Sequence, residues 1–442
     1  MDRQILSNLD LELYHKVLKN GLEIFICPID RHDAHASIVT KYGNDILDFK
    51  FEGDKEFISI PAGTAHYLEH KMFEQEDGID PMSFFSANGA YSNAYTSSKV
   101  TRYHFTCASS FFENLQMLLD CVTKPYFTKE NIQKEQGIIA EEIKMGFDNP
   151  NRMLYFLTLK GLFKNHPHQY PVAGYIESIK NLTKEDMYNA YNTFYHPSNM
   201  FMVVTGAVDA KKTMKFIEEY YNKKDYKPLG KVVIKDYKEP KTVTKRKQVH
   251  NMEVTNKLIT KAYKVPLPED FSKFEIDIFI SIYLGMTFGS TTDFYYDTFH
   301  DKNILRRVAS YAEIVDKYLI IYFDTEVMDD ISIVDKVDKL LKAKKTSEED
   351  FKLIIKNILI NLITNSENVN ASANFIVNLM IDYGTFYPDI YDKCKNLKYE
   401  RFKEFIDLLD FEESTLSIIT KESWFLSKNM IHYWKLGGIV WK

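Results

Sequence analysis

Residues 66–70 read His-Tyr-Leu-Glu-His. In a helix of about 3.6 residues per turn, His66 and His70 project from one face. Two imidazoles placed in this way can hold one Zn²⁺ through bonds of roughly 2.0–2.1 Å. Glu69 puts a carboxylate beside the metal, where it can take a proton from an attacking water. The order His-x-x-Glu-His inverts the His-Glu-x-x-His arrangement of other hydrolytic zinc sites. A surface helix with two solvated histidines and a glutamate has the same spacing, so the pentapeptide gains meaning only with a further ligand.

A catalytic zinc usually takes three protein ligands and keeps one position open. Lys134-Glu135-Gln136-Gly137-Ile138-Ile139-Ala140-Glu141-Glu142-Ile143 offers carboxylates. Apolar residues at 138, 139, 143 and 145 mark a helix with one buried side. Glu135 and Glu142 lie two turns apart and share a face. Glu141 points about 100° away from Glu142, toward solvent. An ordinary charged helix fits the same pattern. His166 and His168 flank Pro167 in a loop and lack helical i,i+4 geometry, so a structural or solvent-facing role is expected for them.

The elements that must position these residues follow from periodicity and punctuation. Residues 21–27 alternate and stop at Pro28, a strand, and 36–41 read as its neighbour. A helix is expected over 62–76, a strand over 101–107, and helices over 110–123, 128–148, 151–163 and 184–194, followed by a buried strand at 200–205. The stretch around 226–250 carries Lys, Asp, Pro and Gly with little periodicity and reads as a linker. Beyond it come a strand at 257–264, a helix at 273–287, a strand at 317–324, helices at 347–365, 370–380 and 399–410, and a strand at 415–420. The two halves share an outline without detectable sequence identity. Domains are expected over 1–225 and 251–442.

Composition agrees with this outline. A chain of 442 residues, 45% hydrophobic and 14% aromatic, is long enough for two cores. The net charge of −6 and the absence of a long basic stripe argue against a nucleic-acid partner; Lys245-Arg246-Lys247 is short and reads as solvated. No run of about 18 apolar residues occurs, so no membrane insertion is expected. The first residues lack the apolar core of a signal peptide. Cys27, Cys107 and Cys121 lie in apolar or strand-like stretches, and with Cys394 they show no metal-like spacing. Buried thiols in a reducing cytoplasm are the expectation.

Together these segments resemble the pitrilysin/insulinase family of inverted zincins. The likeness is carried by Pro61 to Phe73, by Gly89-Ala90-Tyr91-Ser92-Asn93-Ala94-Tyr95-Thr96-Ser97, by Lys134 to Met145 and by Tyr195-His196-Pro197-Ser198-Asn199-Met200. It covers residues 15–210, thins out afterwards, and is nearest to small bacterial processing-peptidase-like members. The resemblance implies an α+β fold of two related half-domains, each a mostly antiparallel sheet covered by helices. It implies one Zn²⁺ per chain on His66, His70 and Glu142, Glu135 orienting the site, and Glu69 as general base. Asn93 and Ala94 would lie on an edge strand that receives the peptide. Such members also supply an Arg and a Tyr from the second half; Arg306 and Tyr311 have a suitable spacing, although the comparable stretch has no Arg at the expected place. The implied activity is endopeptidase cleavage of short, unfolded peptides, with pairing as a homodimer or with a related chain. The alternative is a non-catalytic peptide-binding or assembly subunit.

Overall fold

The computed structural model describes residues 1–6 and 8–421; residues 422–442 of the expected second half lie outside them. The first sheet uses β1 (Asp2–Leu6), β2 (Leu11–Val17), β3 (Glu23–Pro28), β4 (Ala34–Thr40), β7 (Ala90–Thr96), β8 (Thr101–Cys107) and β9 (Met200–Gly206), in the order β1-β2-β3-β9-β4-β8-β7. A small sheet pairs β5 (Asp48–Phe51) with β6 (Ile58–Ser59) and β10 (Val232–Ile234). The second large sheet has β11 (Lys247–Asn251), β12 (Lys257–Pro266), β13 (Ile304–Val315), β14 (Tyr318–Val327) and β15 (Ser414–Thr420), in the order β11-β15-β12-β14-β13. Residues 36–41 do not neighbour 21–27 as expected. β9 lies between them, parallel to β3 and antiparallel to β4. Alternation identifies a strand but carries no information about its partner.

The two large sheets repeat one topology. Taken in chain order, β3, β4, β7, β8 and β9 are arranged first-fifth-second-fourth-third, and β11 to β15 follow the same arrangement. In each, the first and fifth strands are parallel and the other pairs antiparallel. The fold is therefore α+β, with two related halves that share strand order rather than sequence.

Each sheet is closed on one face by a helix from the other half. Successive residues of a strand point to opposite faces. Met200, Met202 and Val204 of β9 join the large core of the first half, while Phe201 and Val203 face Ala373, Ile376 and Val377 of the helix Val369–Tyr383. In the second sheet, Ile321 and Phe323 face their own helices, whereas Ala262, Ile320 and Tyr322 pack on Leu159, Leu162 and Phe163, at the end of the helix Pro150–Leu162. Burying such a side chain contributes about 1.5–3 kcal/mol, so each uncovered face would be costly.

Two polar clasps fasten the seam. The segment 226–250 passes from the small sheet to the second large sheet, and within it Glu239 is 1% exposed at its side chain. Lys264 Nζ, on a side chain that is 0% exposed, donates to Glu239 Oε1 at 2.6 Å and to the carbonyl of Leu162 at 3.0 Å. The backbone N–H groups of Lys164, Asn165 and His166 also donate to that carboxylate. The second clasp is His168, 3% exposed, whose ring lies 3.0 Å from Asp45 and 3.4 Å from Glu313 of β13. Burial alone would lower its pKa, but Asp45 and Glu313 outweigh it and raise the value to about 10. All four cysteines are free and buried. No helix among the described residues is long and apolar enough to cross a membrane.

The buried pair yields a stability prediction. Lys264→Met strands a buried carboxylate and costs about 3–5 kcal/mol in urea denaturation, and adding Glu239→Gln recovers much of it; a Lys264→Met loss under about 1 kcal/mol would contradict the burial argument. His168 predicts a pH effect. Its folded pKa lies above the ordinary 6.5, so its stabilisation is full below that pH and fades as pH rises toward about 10. The difference in melting temperature between the wild type and His168→Gln therefore shrinks from pH 6 to pH 10, as read by calorimetry; a constant difference would show that His168 carries no charge.

Candidate metal centre

The motif helix runs Thr64–Lys71, shorter than expected at both ends. Gly63 caps it at φ +96°, a left-handed conformation that favours glycine. A Cβ there would meet the carbonyl of Ala173 at 2.6 Å, because the loop at Ala173 and Gly174 packs directly on the helix start. The second helix, Lys129–Asp148, begins at a capping box between Thr128 and Asn131. It stops because Pro150 forces Asn149 into an extended conformation. The Asn149 side chain then caps the next helix by accepting the N–H of Arg152 at 3.0 Å.

Tyr67 and Lys71, one turn apart, lock the first helix onto the second. Both side chains are buried, and they donate to the carbonyls of Ile132 and Asn131. His66 and His70 are thereby turned toward Glu142. His66 Nε2 lies 3.6 Å from Glu142 Oε1, and His70 Nε2 lies 3.6 Å from Glu142 Oε2. Among the described residues this is the group of His, Cys and acidic side chains whose atoms converge closely enough for a metal ion, all within 4.8 Å. Tetrahedral bonds of about 2.1 Å require ligand atoms about 3.4 Å apart, and the two 3.6 Å spacings to Glu142 fit zinc.

The protonation states fit as well. Burial, assisted by His70, lowers the His66 pKa to about 3, so its ring is neutral and its lone pair free. His66 Nδ1 is buried without a hydrogen-bond partner among the described residues. His70 Nδ1 lies 3.0 Å from Glu135 Oε1; with the proton on Nδ1, Nε2 keeps a lone pair toward Glu142. Burial would lower the His70 pKa, but Glu135, Glu69 and Glu142 raise it overall. The hydrogen bond to His70 holds Glu135 below the usual carboxylate range. Burial raises the Glu69 pKa, Glu142 adds to this, and a hydrogen bond from Thr96 opposes it. That bond, Thr96 Oγ1–H to Glu69 Oε2, measures 2.6 Å.

Among the described residues β7 pairs only with β8 and is the edge of its sheet, so Asn93 and Ala94 stand beside an open ladder. The N–H of Ala94 donates to Asn93 Oδ1 at 2.9 Å instead of to a strand. Arg306 and Tyr311 are not drawn into the cluster. Arg306 donates to Asn151 at 3.1 Å, and the Tyr311 hydroxyl donates to Asp324 at 2.8 Å while its ring stacks on Tyr322. A cavity of about 320 Å³ opens from His66, Thr96 and Glu142 and is walled by Phe147, Arg152, Tyr155 and Phe156. The sequence reading assigned no role to Thr96, Arg152 or Tyr155. Thr96 shares the strand face of Ala94, and Arg152 and Tyr155 are i,i+3 neighbours just after Asn149-Pro150, so periodicity marks both pairs without indicating what they face.

Residues 60–175 match the family Insulinase (Peptidase family M16), and residues 181–303 match the Peptidase M16 inactive domain. The chain is 34% identical over 302 residues to the uncharacterized zinc protease YmfH of Bacillus subtilis, covering 68% of this chain and 70% of that protein. It is 28% identical over 163 residues, 36% of each chain, to the mitochondrial-processing peptidase subunit beta of Caenorhabditis elegans. A crystal structure of a putative M16-like peptidase from Alicyclobacillus acidocaldarius superposes with a TM-score of 0.87 at 26% identity, over 94% of this chain and 99% of that one. The helix pair, its converging ligands and these likenesses agree: the chain belongs to the insulinase, or M16, peptidase family.

Proposed function

We propose that the chain is a zinc-dependent endopeptidase of short, unfolded peptides, with leader or maturation peptides as the natural class. The observation that carries this reading is the convergence of His66, His70 and Glu142, with a half-buried carboxylate, Glu69, on the helix of the two histidines. Zinc held by these three residues, one ion per chain, would polarise the scissile carbonyl and acidify an attacking water. Glu69 takes the proton of that water and delivers it to the leaving amine nitrogen. Thr96 holds Glu69 Oε2 and leaves the other oxygen to face the water. Glu135 fixes the tautomer and orientation of His70.

The peptide would add to the open edge of β7. There its carbonyls can take over the Ala94 N–H from Asn93. A folded protein cannot present such a strand, which restricts the substrate to extended segments. Arg306 and Tyr311 take no step, because their donors are committed to Asn151 and Asp324. Pairing with a second copy or a related chain would enclose the cavity, and the likeness to a peptidase subunit supports this. A cytoplasmic site of action belongs to the same reading. The second reading, a non-catalytic subunit, draws on the match of 181–303 to the inactive-domain family. Retention of His66, Glu69, His70 and Glu142 together favours catalysis.

Metal analysis and quenched-peptide hydrolysis of the wild type and Glu69→Gln test the reading. One zinc per chain in both, with kcat/KM reduced about 10²–10⁴-fold in the variant, is expected. Wild-type zinc without hydrolysis would favour the subunit reading, and absence of zinc would remove the peptidase reading altogether. Thr96→Val tests how the base is set. Loss of the hydroxyl raises the Glu69 pKa further, so the acidic limb of the kcat/KM profile moves to higher pH with zinc content unchanged; an unmoved limb would separate Thr96 from the base.

A further inference from the structure

The cavity beside the metal cluster has an uneven supply of polar groups. Thr96 already donates to Glu69, and Glu142 faces both imidazoles. The remaining side-chain polar groups in its lining are the guanidinium of Arg152 and the hydroxyl of Tyr155. Neither makes a hydrogen bond or ion pair among the described residues. Arg152 extends over the bare backbone of Gly146, where an added Cβ would lie 3.8 Å from Nη1. Tyr155 is held between Phe156, with ring centroids 6.3 Å apart, and Tyr322 of the second half, at 6.4 Å. Partial desolvation, with Glu313, Asp45 and Asp324, raises the Tyr155 pKa, so the hydroxyl keeps its proton.

The walls between these donors are apolar. Phe147 and Phe156 pack with centroids 5.4 Å apart, and Ile143 and Val172 also line the space. About 320 Å³ accommodates an extended side chain of several carbons. Both residues are solvent-exposed, Tyr155 at 37%, so water serves the guanidinium and the phenol in the free chain; of the groups that could replace that water, the strongest match is a carboxylate, which arginine can bind through two parallel bonds. The methylenes of such a group would lie against the phenylalanine walls.

Resting on the peptidase reading, we infer that this cavity receives a substrate carboxylate on Arg152, so that the chain prefers peptides with an acidic group next to the bond that is cut. That group is either a Glu or Asp side chain or the peptide's own terminal carboxylate. The donor imbalance also predicts that an amide of the same shape is a poorer fit, because it cannot form the charged pair.

The zinc-loaded full chain is tested with short quenched peptides that differ only in Glu, Gln or Lys beside the cleavage site, each with a free or an amidated C-terminus. The wild type is expected to favour Glu over Gln about tenfold in kcat/KM. In Arg152→Gln the ratio falls to about one, and in Arg152→Glu the Lys peptide overtakes the Glu peptide. A dependence on the free terminus in place of the side chain identifies the terminal carboxylate as the source. Anisotropy of the same peptides, labelled, on zinc-loaded Glu69→Gln reads the preference without turnover. Absence of hydrolysis would therefore count against the peptidase reading, whereas equal binding of peptides with and without the acidic group would overturn the role of Arg152. An unchanged Glu/Gln ratio in Arg152→Gln would overturn it as well.

Discussion

Everything at the centre of this molecule depends on the docking of one short helix against one long one. Three ligand atoms from two helices must come within about 3.4 Å of one another for zinc, a tolerance finer than helix packing alone provides. Tyr67 and Lys71 supply the missing precision. They reach carbonyls of the long helix at Ile132 and Asn131, one helical face away from the histidines. With that contact fixed, the period of the long helix does the rest. Glu135 meets His70 and, two turns on, Glu142 stands before both imidazoles. The glycine at 63 serves the same end, because the loop at Ala173 can close over the helix start only where no side chain intervenes.

The architecture around that contact is two copies of one strand arrangement, each using the other's helix as a lid. The helix Pro150–Leu162 leaves the metal helix at Asn149 and buries its end against the second sheet, carrying Arg152 and Tyr155 past the metal cluster on the way. The helix Val369–Tyr383 makes the reciprocal contact on the first sheet. The residues that line the cavity all belong to the first half, and one of them, Tyr155, meets Tyr322 of the second half, whose ring stacks on Tyr311. Polar and charged groups secure the seam alongside its apolar contacts. Lys264 with Glu239, and His168 with Asp45 and Glu313, are compensated pairs that would be expensive to separate.

Charge also sets the chemistry. The cluster collects Glu69, Glu135 and Glu142 around two imidazoles, an assembly that would repel itself without a cation. Neighbours divide the labour among like groups. Glu135 is held ionised by His70, whereas Glu69 is half-buried, its pKa raised, and tethered to a neutral hydroxyl. Two carboxylates on adjacent helices thereby acquire different proton affinities from their surroundings alone.

The sequence by itself determined the local pieces. Spacing put His66 and His70 on one face and Glu135 and Glu142 on another, and residue pattern marked seven of the fifteen described strands close to where they lie, because these patterns are consequences of backbone period. It also marked the separate helices over 128–148 and 151–163. Tertiary structure alone decided which pieces meet. The insertion of β9 between β3 and β4, the pairing of Thr96 with Glu69, the burial of Glu239 and the opening of a cavity at Arg152 all join residues whose separation in sequence carries no period. The repeated strand order of the two halves was invisible for the same reason. Topology is kept by which faces are apolar, and many unrelated side chains satisfy that condition equally well.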